Sequence, residues 1–452
     1  MLQKRFANDR RKCYSLDMIQ KSLTKTLLVS AVILFLGLAS YFAISGKYGT
    51  HNQSSSTSGI EQKINEQPIE NGSLSKDVPE NSLMATATIA GNTSALSMIV
   101  AGKKNDNFYN LAKYFAKGKK AKLITFIDLN DLVAQLKKYK PTYLSVVLSP
   151  QALTPDFVDE LDLAVRRIDE DSYFDVAYGI ITSFNEQEGF KYVDRLLSYK
   201  PTSSTSIYGI NQYPEIRWLG SIYGLNFQDR CVGGYGISVC DKEHEATVAR
   251  LVEELKGKNV VNIGLHGSPM NMSLGGTESL AGNTEGLMGV TPTDEIECQP
   301  NTGGTTTCGP KMKFQKLNFD ATLLTAYSCT TARINGKPSV IKREFDDTEA
   351  EGKIENSVVL SALKSGVLDY IGATHVANSA IFPLQALSEE AILQGVPIGI
   401  ALKNFKNNYV FNKIFQQRSF DGKPAASQFT IDFIEFQLKN WVLFGDPSLQ
   451  IT

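Results

Sequence analysis

The sequence predicts an α/β fold in which mostly parallel β-sheets are covered by helices on both faces. From residue 95 onward, short apolar runs alternate with amphipathic helical patterns, which is the order that builds parallel sheets. The chain has 452 residues, of which 42% are hydrophobic and 21% charged, enough for one large or two medium domains. Two later apolar runs, 259–267 and 320–329, have the length and bounds of buried strands. We therefore expect two adjacent α/β subdomains, at residues 95–200 and 201–452.

The first subdomain contains alternating elements in the order strand, helix, strand. The predicted strands are 95–101, 123–127, 143–148 and 176–182, and the predicted helices are 105–116, 130–139, 154–167 and 186–197. The third helix has a clear start, because Thr154 is a capping residue, Pro155 fits the first helical position and Asp156 suits the first turn. The acidic loop 168–175 that comes next has the carboxylates that bind calcium or a basic substrate, with a solvated turn as the alternative.

The second subdomain contains the two apolar runs that end in reactive residue types. Strands are predicted at 202–212, 259–267, 320–329 and 367–373, and helices at 243–256, 355–364, 384–393, 399–407 and 430–441. Between the two apolar runs lies an inserted loop, 271–316, rich in Gly, Thr and Asn. Loops of this length are uncommon unless they are functional or mobile.

The N-terminal region has the pattern of a membrane-anchored protein. Residues 1–25 are basic, 26–46 form an apolar segment about long enough to span a bilayer, and 47–94 form a polar, disordered linker. The positive charge before the segment favours a cytoplasmic N-terminus. We therefore expect a single-pass membrane protein whose folded domain lies outside the cytoplasm. A cleaved signal peptide and a secreted protein are the alternative.

Charge and cysteine usage narrow the function classes. The net charge of -1 gives no reason to expect a nucleic-acid partner. Outside the cytoplasm, Cys231 with Cys240 and Cys298 with Cys308 are candidate disulfides that close short loops, although metal binding by Cys298 and Cys308 is an alternative. Cys329 is then left over as a candidate reactive thiol.

A histidine and this cysteine end the two apolar runs. If the runs are neighbouring parallel strands, the imidazole of His266 and the thiol of Cys329 meet at one edge of the sheet. The imidazole would take the proton of the thiol or hold the thiolate as an ion pair. Gly267 lets a substrate backbone approach, with its N–H available to an oxyanion. In the alternative reading Cys329 is a small buried hydrophobe, and His375, which ends the strand after the cysteine, is the rival base.

These features together resemble the gingipain-like cysteine peptidases of the caspase-type clan. The resemblance rests on the strand ending His266-Gly267, the strand ending Cys329 and the terminal motif Gly-Asp-Pro-Ser-Leu at 445–449, and it covers roughly residues 95–452. The segments 171–197 and 366–374 also look like corresponding parts of that family. The sequence departs from the family at Ser328, where a small apolar residue is usual, and in the length of the 271–316 insertion.

The resemblance implies a caspase-like fold and a peptidase site. His266 would be the general base and acid, Cys329 the nucleophile, and the backbone N–H groups of Gly267 and Cys329 the oxyanion hole. The implied partners are protein or peptide substrates and, through the N-terminal helix, a membrane. No cofactor is required, and calcium is possible. The alternatives are a transpeptidase that uses the same pair of residues and a binding or scaffold protein that keeps the fold without turnover.

Overall fold

The computed structural model describes residues 98–202, 207–211, 247–275, 277–300, 306–340, 350–377, 392, 394–417, 419–420, 423–424 and 428–451. Its strands are β1 (Met98–Lys103), β2 (Lys122–Phe126), β3 (Tyr143–Val147), β4 (Ala177–Ile181), β5 (Ile207–Asn211), β6 (Val260–Gly264), β7 (His266–Gly267), β8 (Asn271–Gly275), β9 (Glu278–Asn283), β10 (Gly286–Pro300), β11 (Thr306–Lys316), β12 (Leu323–Ala326), β13 (Asp369–Ala373), β14 (Ser419–Phe420), β15 (Lys423–Pro424) and β16 (Trp441–Phe444). Its helices are α1 (Tyr109–Lys119), α2 (Leu129–Tyr139), α3 (Pro155–Val165), α4 (Glu186–Ser198), α5 (Val248–Glu254), α6 (Val358–Lys364), α7 (Ile398–Gln417) and α8 (Gln428–Asn440), with 3₁₀ turns at Pro150–Ala152 and Ile354–Asn356.

Side-chain caps fix where several helices begin. The Thr154 hydroxyl accepts a hydrogen bond from the N–H of Phe157 (3.2 Å) at the start of α3, where Pro155 occupies the first turn. Asp128 and Asn185 cap α2 and α4 in the same way. Each cap satisfies one of the backbone donors that a helix start leaves without an intrahelical partner. The four helices between residues 109 and 198 therefore lie close to their predicted positions.

A nine-stranded sheet forms the centre of the fold. Its strand order is β2-β1-β3-β4-β16-β13-β12-β6-β5, and every neighbouring pair is parallel except β13 with β16. Strands β4, β6, β12 and β13 are buried at every residue. Because successive side chains point to opposite faces, complete burial means that both faces are covered. The predicted α/β class, with a mostly parallel sheet covered by helices, is confirmed and is consistent with a caspase-like arrangement.

Strand β16 joins two halves of the chain into this sheet. The first half contains β1 to β4, and the second half contains the strands from β5 onward. Strand β16 pairs in parallel with β4 on one side and antiparallel with β13 on the other. The parallel strands of the second half therefore run in the opposite direction to those of the first. As a result, the carboxyl ends of β6, β12 and β13 lie together at one edge, and those of β1 to β4 lie at the opposite edge.

Residues 271–316 form most of a second sheet, where the sequence predicted a loop. Strands β7 to β11 are arranged in sequence order as five antiparallel strands. Beyond Val290, β10 pairs with β11 alone, and a two-stranded arm results. Thr, Gly and Pro interrupt any apolar run there, and the arm is largely exposed, so its strands lack the apolar pattern of core strands.

The predicted membrane-spanning helix and the membrane location require correction. In the part of the chain that the structure describes, no helix combines the length and the apolar character needed to cross a bilayer. Even α7, with 20 residues, carries Lys403 and Lys406. The segment 26–46, on which the anchor, the single-pass topology and the alternative of secretion depended, lies outside the described residues. The described residues therefore do not support the predicted transmembrane helix or the predicted membrane partner.

Candidate active site

The predicted histidine and cysteine come directly after two neighbouring strands of the central sheet. β6 and β12 are parallel, with Ile263 opposite Ala326. Beyond β12 the two chains stay together, since the N–H of Tyr327 donates to Ile263 O (2.7 Å) and the N–H of Leu265 donates to the Ser328 hydroxyl (3.3 Å). The buried hydroxyl of Ser328 thus ties the two strand ends together, and this accounts for a polar residue at that position.

Gly267 packs directly against the turn that carries the cysteine, residues 328–332, here called the Cys329 turn. A Cβ atom at Gly267 would lie 2.7 Å from both Ser328 Cβ and Thr331 Cγ2, and 3.1 Å from Cys329 O. These distances are shorter than ordinary carbon contacts. Glycine therefore allows β7 to approach the Cys329 turn, and this approach brings the backbone of His266 and Gly267 beside Cys329.

Both candidate catalytic side chains are partly exposed at this edge. His266 and Cys329 are neither fully buried nor fully open to solvent, and Cys329 is outside any disulfide. Burial lowers the pKa of the His266 imidazole below its ordinary value of 6.5. The neutral ring therefore predominates at pH 7, and this is the form that can accept a proton from a thiol. The sulfur of Cys329 lies 3.9 Å from Ala377 O.

The Cys329 turn has an unusual backbone conformation. Thr330 has a φ of 57°, in the left-handed region that β-branched residues rarely adopt. Such a conformation costs about 1–2 kcal/mol. Three hydrogen bonds hold it: the N–H of Thr330 donates to His375 O (3.0 Å), that of Ala332 to Ala373 O (2.9 Å) and that of Arg333 to Thr330 O (3.0 Å). The cysteine is therefore presented on a tight turn that is fixed against the chain leaving β13.

The hairpin of β7 and β8 orients the N–H of Gly267. The N–H of Ser268 donates to Asn271 O (2.7 Å), and Gly267 lies opposite Met272. Hydrogen-bonded and non-hydrogen-bonded pairs alternate along an antiparallel ladder. Gly267 is therefore in a non-hydrogen-bonded pair, and its N–H is directed away from β8. Because β7 is the last of the described strands in its sheet, this donor points away from that sheet.

The rival base His375 is engaged in the interior. Its side chain is buried, its Nε2 lies 3.1 Å from Asp159 Oδ1, and its ring centroid is 5.1 Å from that of Phe436. The contact with Asp159 directs the imidazole toward α3. His375 nevertheless touches the site through its backbone, because its carbonyl oxygen holds the N–H of Thr330.

The acidic loop 168–175 uses two of its carboxylates within the loop. Asp169 accepts the N–H of Asp171 (3.0 Å), and Asp171 accepts the N–H of Tyr173 (2.7 Å). Burial, followed by the charges of Asp169 and Asp171, raises the pKa of Asp175. Within the described ranges there is no group of three or more His, Cys, Asp or Glu side chains placed to hold a metal ion. Calcium binding stays a prediction.

The candidate disulfide cysteines are either paired with each other in the arm or lie outside the described residues. Cys298 and Cys308 face each other across β10 and β11 and form a disulfide, with a Cα–Cα distance of 4.0 Å. The bond therefore links the two strands of the exposed arm. Cys231 and Cys240, the other candidate pair, lie outside the described residues.

The terminal Gly-Asp-Pro-Ser-Leu motif is a structural junction. Asp446 accepts hydrogen bonds from the N–H (2.9 Å) and the hydroxyl (2.7 Å) of Ser448 and pairs with Lys119 of α1. The N–H of Asp446 donates to the buried Asp369 (2.9 Å). A Cβ at Gly445 would overlap the Asp369 carboxylate. The motif therefore joins α1, β13 and β16 and supplies no side chain to the site.

Comparisons with known proteins leave the family of this chain open. No protein-family model matches it, and neither does any curated protein. A solved structure described as "Structure of Protease" is similar over 79% of this chain and 79% of its own, with 11% sequence identity and a TM-score of 0.46. At this identity and TM-score, the likeness shows neither a family nor an activity for this chain.

Proposed function

We propose that this protein is a cysteine-type peptidase that cleaves peptide bonds in protein or peptide substrates, with Cys329 as nucleophile and His266 as general base and acid. The observation that supports this most strongly is the close packing of Gly267 on the Cys329 turn. It brings a partly exposed imidazole, a partly exposed thiol and an outward-facing backbone N–H to the same sheet edge. A merely structural cysteine would not require this combination.

The proposed reaction begins with proton transfer from the Cys329 thiol to His266. The thiolate attacks the carbonyl carbon of the scissile bond, and the carbonyl electron pair moves to the oxygen. The C–N bond then breaks, His266 gives its proton to the leaving amine, and a thioester remains on Cys329. Water attacks the thioester with His266 as base, the carboxylic acid leaves, and the thiol regains its proton.

Two backbone N–H groups are the proposed oxyanion hole. The N–H of Gly267 points away from β8, and the N–H of Cys329 lies in the turn that Gly267 packs against. Donors fixed in this way stabilise the charge that develops on the oxygen without having to reorganise during the reaction. The strained turn at Thr330 fits this role, because strain of this kind is common at functional sites.

Covalent labelling tests the assignment directly. The full-length protein is treated with a peptidyl acyloxymethyl ketone under reducing conditions, and the labelled residue is identified by mass spectrometry. We expect label on Cys329, and none in Cys329→Ala or His266→Ala. The double variant Cys298→Ser/Cys308→Ser is the matched control and should label as the wild type does, because it alters cysteines of the arm alone. Full labelling of Cys329 in His266→Ala would refute the pair.

Cleavage of a peptide library decides between reaction types. We expect hydrolysis products that are absent with Cys329→Ala. Transfer of the acyl group to an added amine, in place of hydrolysis, would identify a transpeptidase. Labelling of Cys329 without turnover of any peptide would contradict the peptidase proposal.

A further inference from the structure

After β13 the chain continues as residues 374–377. Helix α8 binds this segment on the side opposite the Cys329 turn. The N–H of His375 donates to Asn440 Oδ1 (2.6 Å), and Val376 O accepts from Asn440 Nδ2 (2.9 Å) and Gln437 Nε2 (3.3 Å). These bonds fix the backbone of residues 374–377 to α8. The imidazole of His375 adds an attachment to a different helix, through Asp159 of α3.

The same residues 374–377 contact the cysteine from the other side. His375 O accepts the N–H of Thr330, which has the strained φ, and Ala377 O lies 3.9 Å from the sulfur of Cys329. Movement of this segment would therefore displace the Cys329 turn. The segment is the physical connection between α3 and the proposed nucleophile.

Asp159 comes from the first half of the chain and is shared between two partners of the second half. One carboxylate oxygen binds His375 Nε2 (3.1 Å), and the other binds Lys439 Nζ (3.3 Å). Burial raises the pKa of Asp159, but the hydrogen bond and charge of His375, together with Lys439, outweigh it, and the net shift is downward. The carboxylate is therefore ionised near neutral pH and accepts both hydrogen bonds.

Asp159 is one of three carboxylates spaced three residues apart along α3, and each binds the second half of the chain. Asp156 accepts the N–H of Ser339 (3.0 Å), and Asp162 pairs with the buried Lys406. Residues at this spacing lie on one side of a helix. Of the three, Asp159 is the carboxylate that reaches the segment beside Cys329.

We propose that Asp159 is a positioning residue for Cys329, acting through His375 and residues 374–377. The inference rests on the proposed function, since it assigns Asp159 a role in presenting the nucleophile. The hydrogen bonds of Asp159 go to His375 and Lys439, so it acts on Cys329 through His375. Its hydrogen bond to His375 holds the carbonyl oxygen that fixes Thr330, and so the direction in which Cys329 is presented.

Two measurements on the full-length protein test this role. The first is the rate at which iodoacetamide alkylates Cys329, monitored by mass spectrometry, which requires no turnover. The second is kcat and KM for peptide cleavage, normalised to sites titrated with the acyloxymethyl ketone. The variants are Asp159→Ala, which removes the acceptor, and Asp159→Asn, whose amide oxygen can still accept from His375. Asp156→Ala is the matched control, because it removes a carboxylate one turn earlier on the same helix.

We expect Asp159→Ala to lower kcat per titrated site by about 10- to 100-fold, the loss that a displacement of about 1 Å causes, with little change in KM. It should also change the alkylation rate of Cys329 several-fold. Asp159→Asn should restore both rates, and Asp156→Ala should match the wild type. A purely structural role would lower the melting temperature without changing kcat per titrated site. If Asp159→Ala does not fold, His375→Ala provides the same test.

The measurements separate the positioning role of Asp159 from the peptidase activity. Suppose that the wild type turns over peptide, and that Asp159→Ala and Asp156→Ala have equal alkylation rates and equal kcat. This result would overturn the positioning role and leave the peptidase proposal intact. An absence of turnover in the wild type would contradict the peptidase, and the alkylation comparison would still decide whether Asp159 positions Cys329.

Discussion

Gly267→Ala is the smallest substitution that should separate His266 from Cys329. The added Cβ would lie 2.7 Å from two carbon atoms of the Cys329 turn, whereas carbon atoms pack at about 3.5–4.0 Å. Either β7 or the turn must therefore move by about 1 Å. Ser328 and Thr331 are buried, so neither side chain can swing into solvent.

This displacement of about 1 Å determines the expected losses in the free energy of unfolding and in the labelling rate. Inserting one carbon into a packed interior costs about 1–3 kcal/mol, so we expect the free energy of unfolding to fall by that amount. A shift of about 1 Å between reacting groups costs about 100-fold in rate. The rate of labelling by the acyloxymethyl ketone, measured per folded molecule, should therefore fall by about 100-fold.

Gly289→Ala is the matched control for crowding alone. A Cβ at Gly289 would lie 2.3 Å from Val248 Cγ1, so this variant also forces a buried contact, but at a place where β10 packs on α5. We expect a comparable loss of stability in urea denaturation, with an unchanged labelling rate per folded molecule. If Gly267→Ala keeps both the stability and the labelling rate of the wild type, the close approach of Gly267 to the Cys329 turn is not what brings His266 to Cys329.

Three further predictions concern the Ser328 hydroxyl, the His266 ring and the disulfide of the arm. Ser328→Ala should lower the free energy of unfolding by about 1–3 kcal/mol, because the buried N–H of Leu265 loses its acceptor; urea denaturation measures this, and a loss below about 0.5 kcal/mol would contradict it. Because burial lowers the pKa of His266, the neutral base is present above that pKa and is lost as the pH falls through it. The labelling rate should therefore decline only at pH values below the ordinary 6.5, and an acid limb centred above 6.5 would show that the ring is not desolvated. The variant Cys298→Ser/Cys308→Ser should lose up to about 3 kcal/mol of local stability, seen as faster hydrogen exchange in the distal parts of β10 and β11, and equal exchange would mean that the disulfide does not hold the arm.

The ends of strands β6 and β12 could be predicted from the sequence, because the pattern that marks them lies within the strands and the turns that bound them. Apolar runs bounded by turn residues identify β6 and β12, and the structure pairs these strands in parallel. Because the strands are parallel neighbours, the residues directly after them lie at the same edge of the sheet. The packing of Gly267 on the Cys329 turn could not be predicted, because it depends on how the chain leaves β6 and enters β7.

Other features depend on contacts between residues far apart in sequence. Met312 and Phe314 alternate with Lys311 and Lys313 in β11, which is a strand pattern, but the surrounding Gly and Thr residues obscured it. The acidic residues of α3 have the composition of a solvent-facing helix surface. Their partners, such as His375, are about two hundred residues away, so a single sequence does not show that this surface is an internal contact.

The position of β16 has a consequence for how the molecule is made. This strand lies between β4 and β13, yet the ribosome produces it after every other strand of the central sheet. The first four strands can associate early in synthesis, while the cysteine-bearing half has no edge of the first half to join until residues 441–444 emerge. A nascent chain stalled before that point would hold both His266 and Cys329 without the strand that joins its two halves.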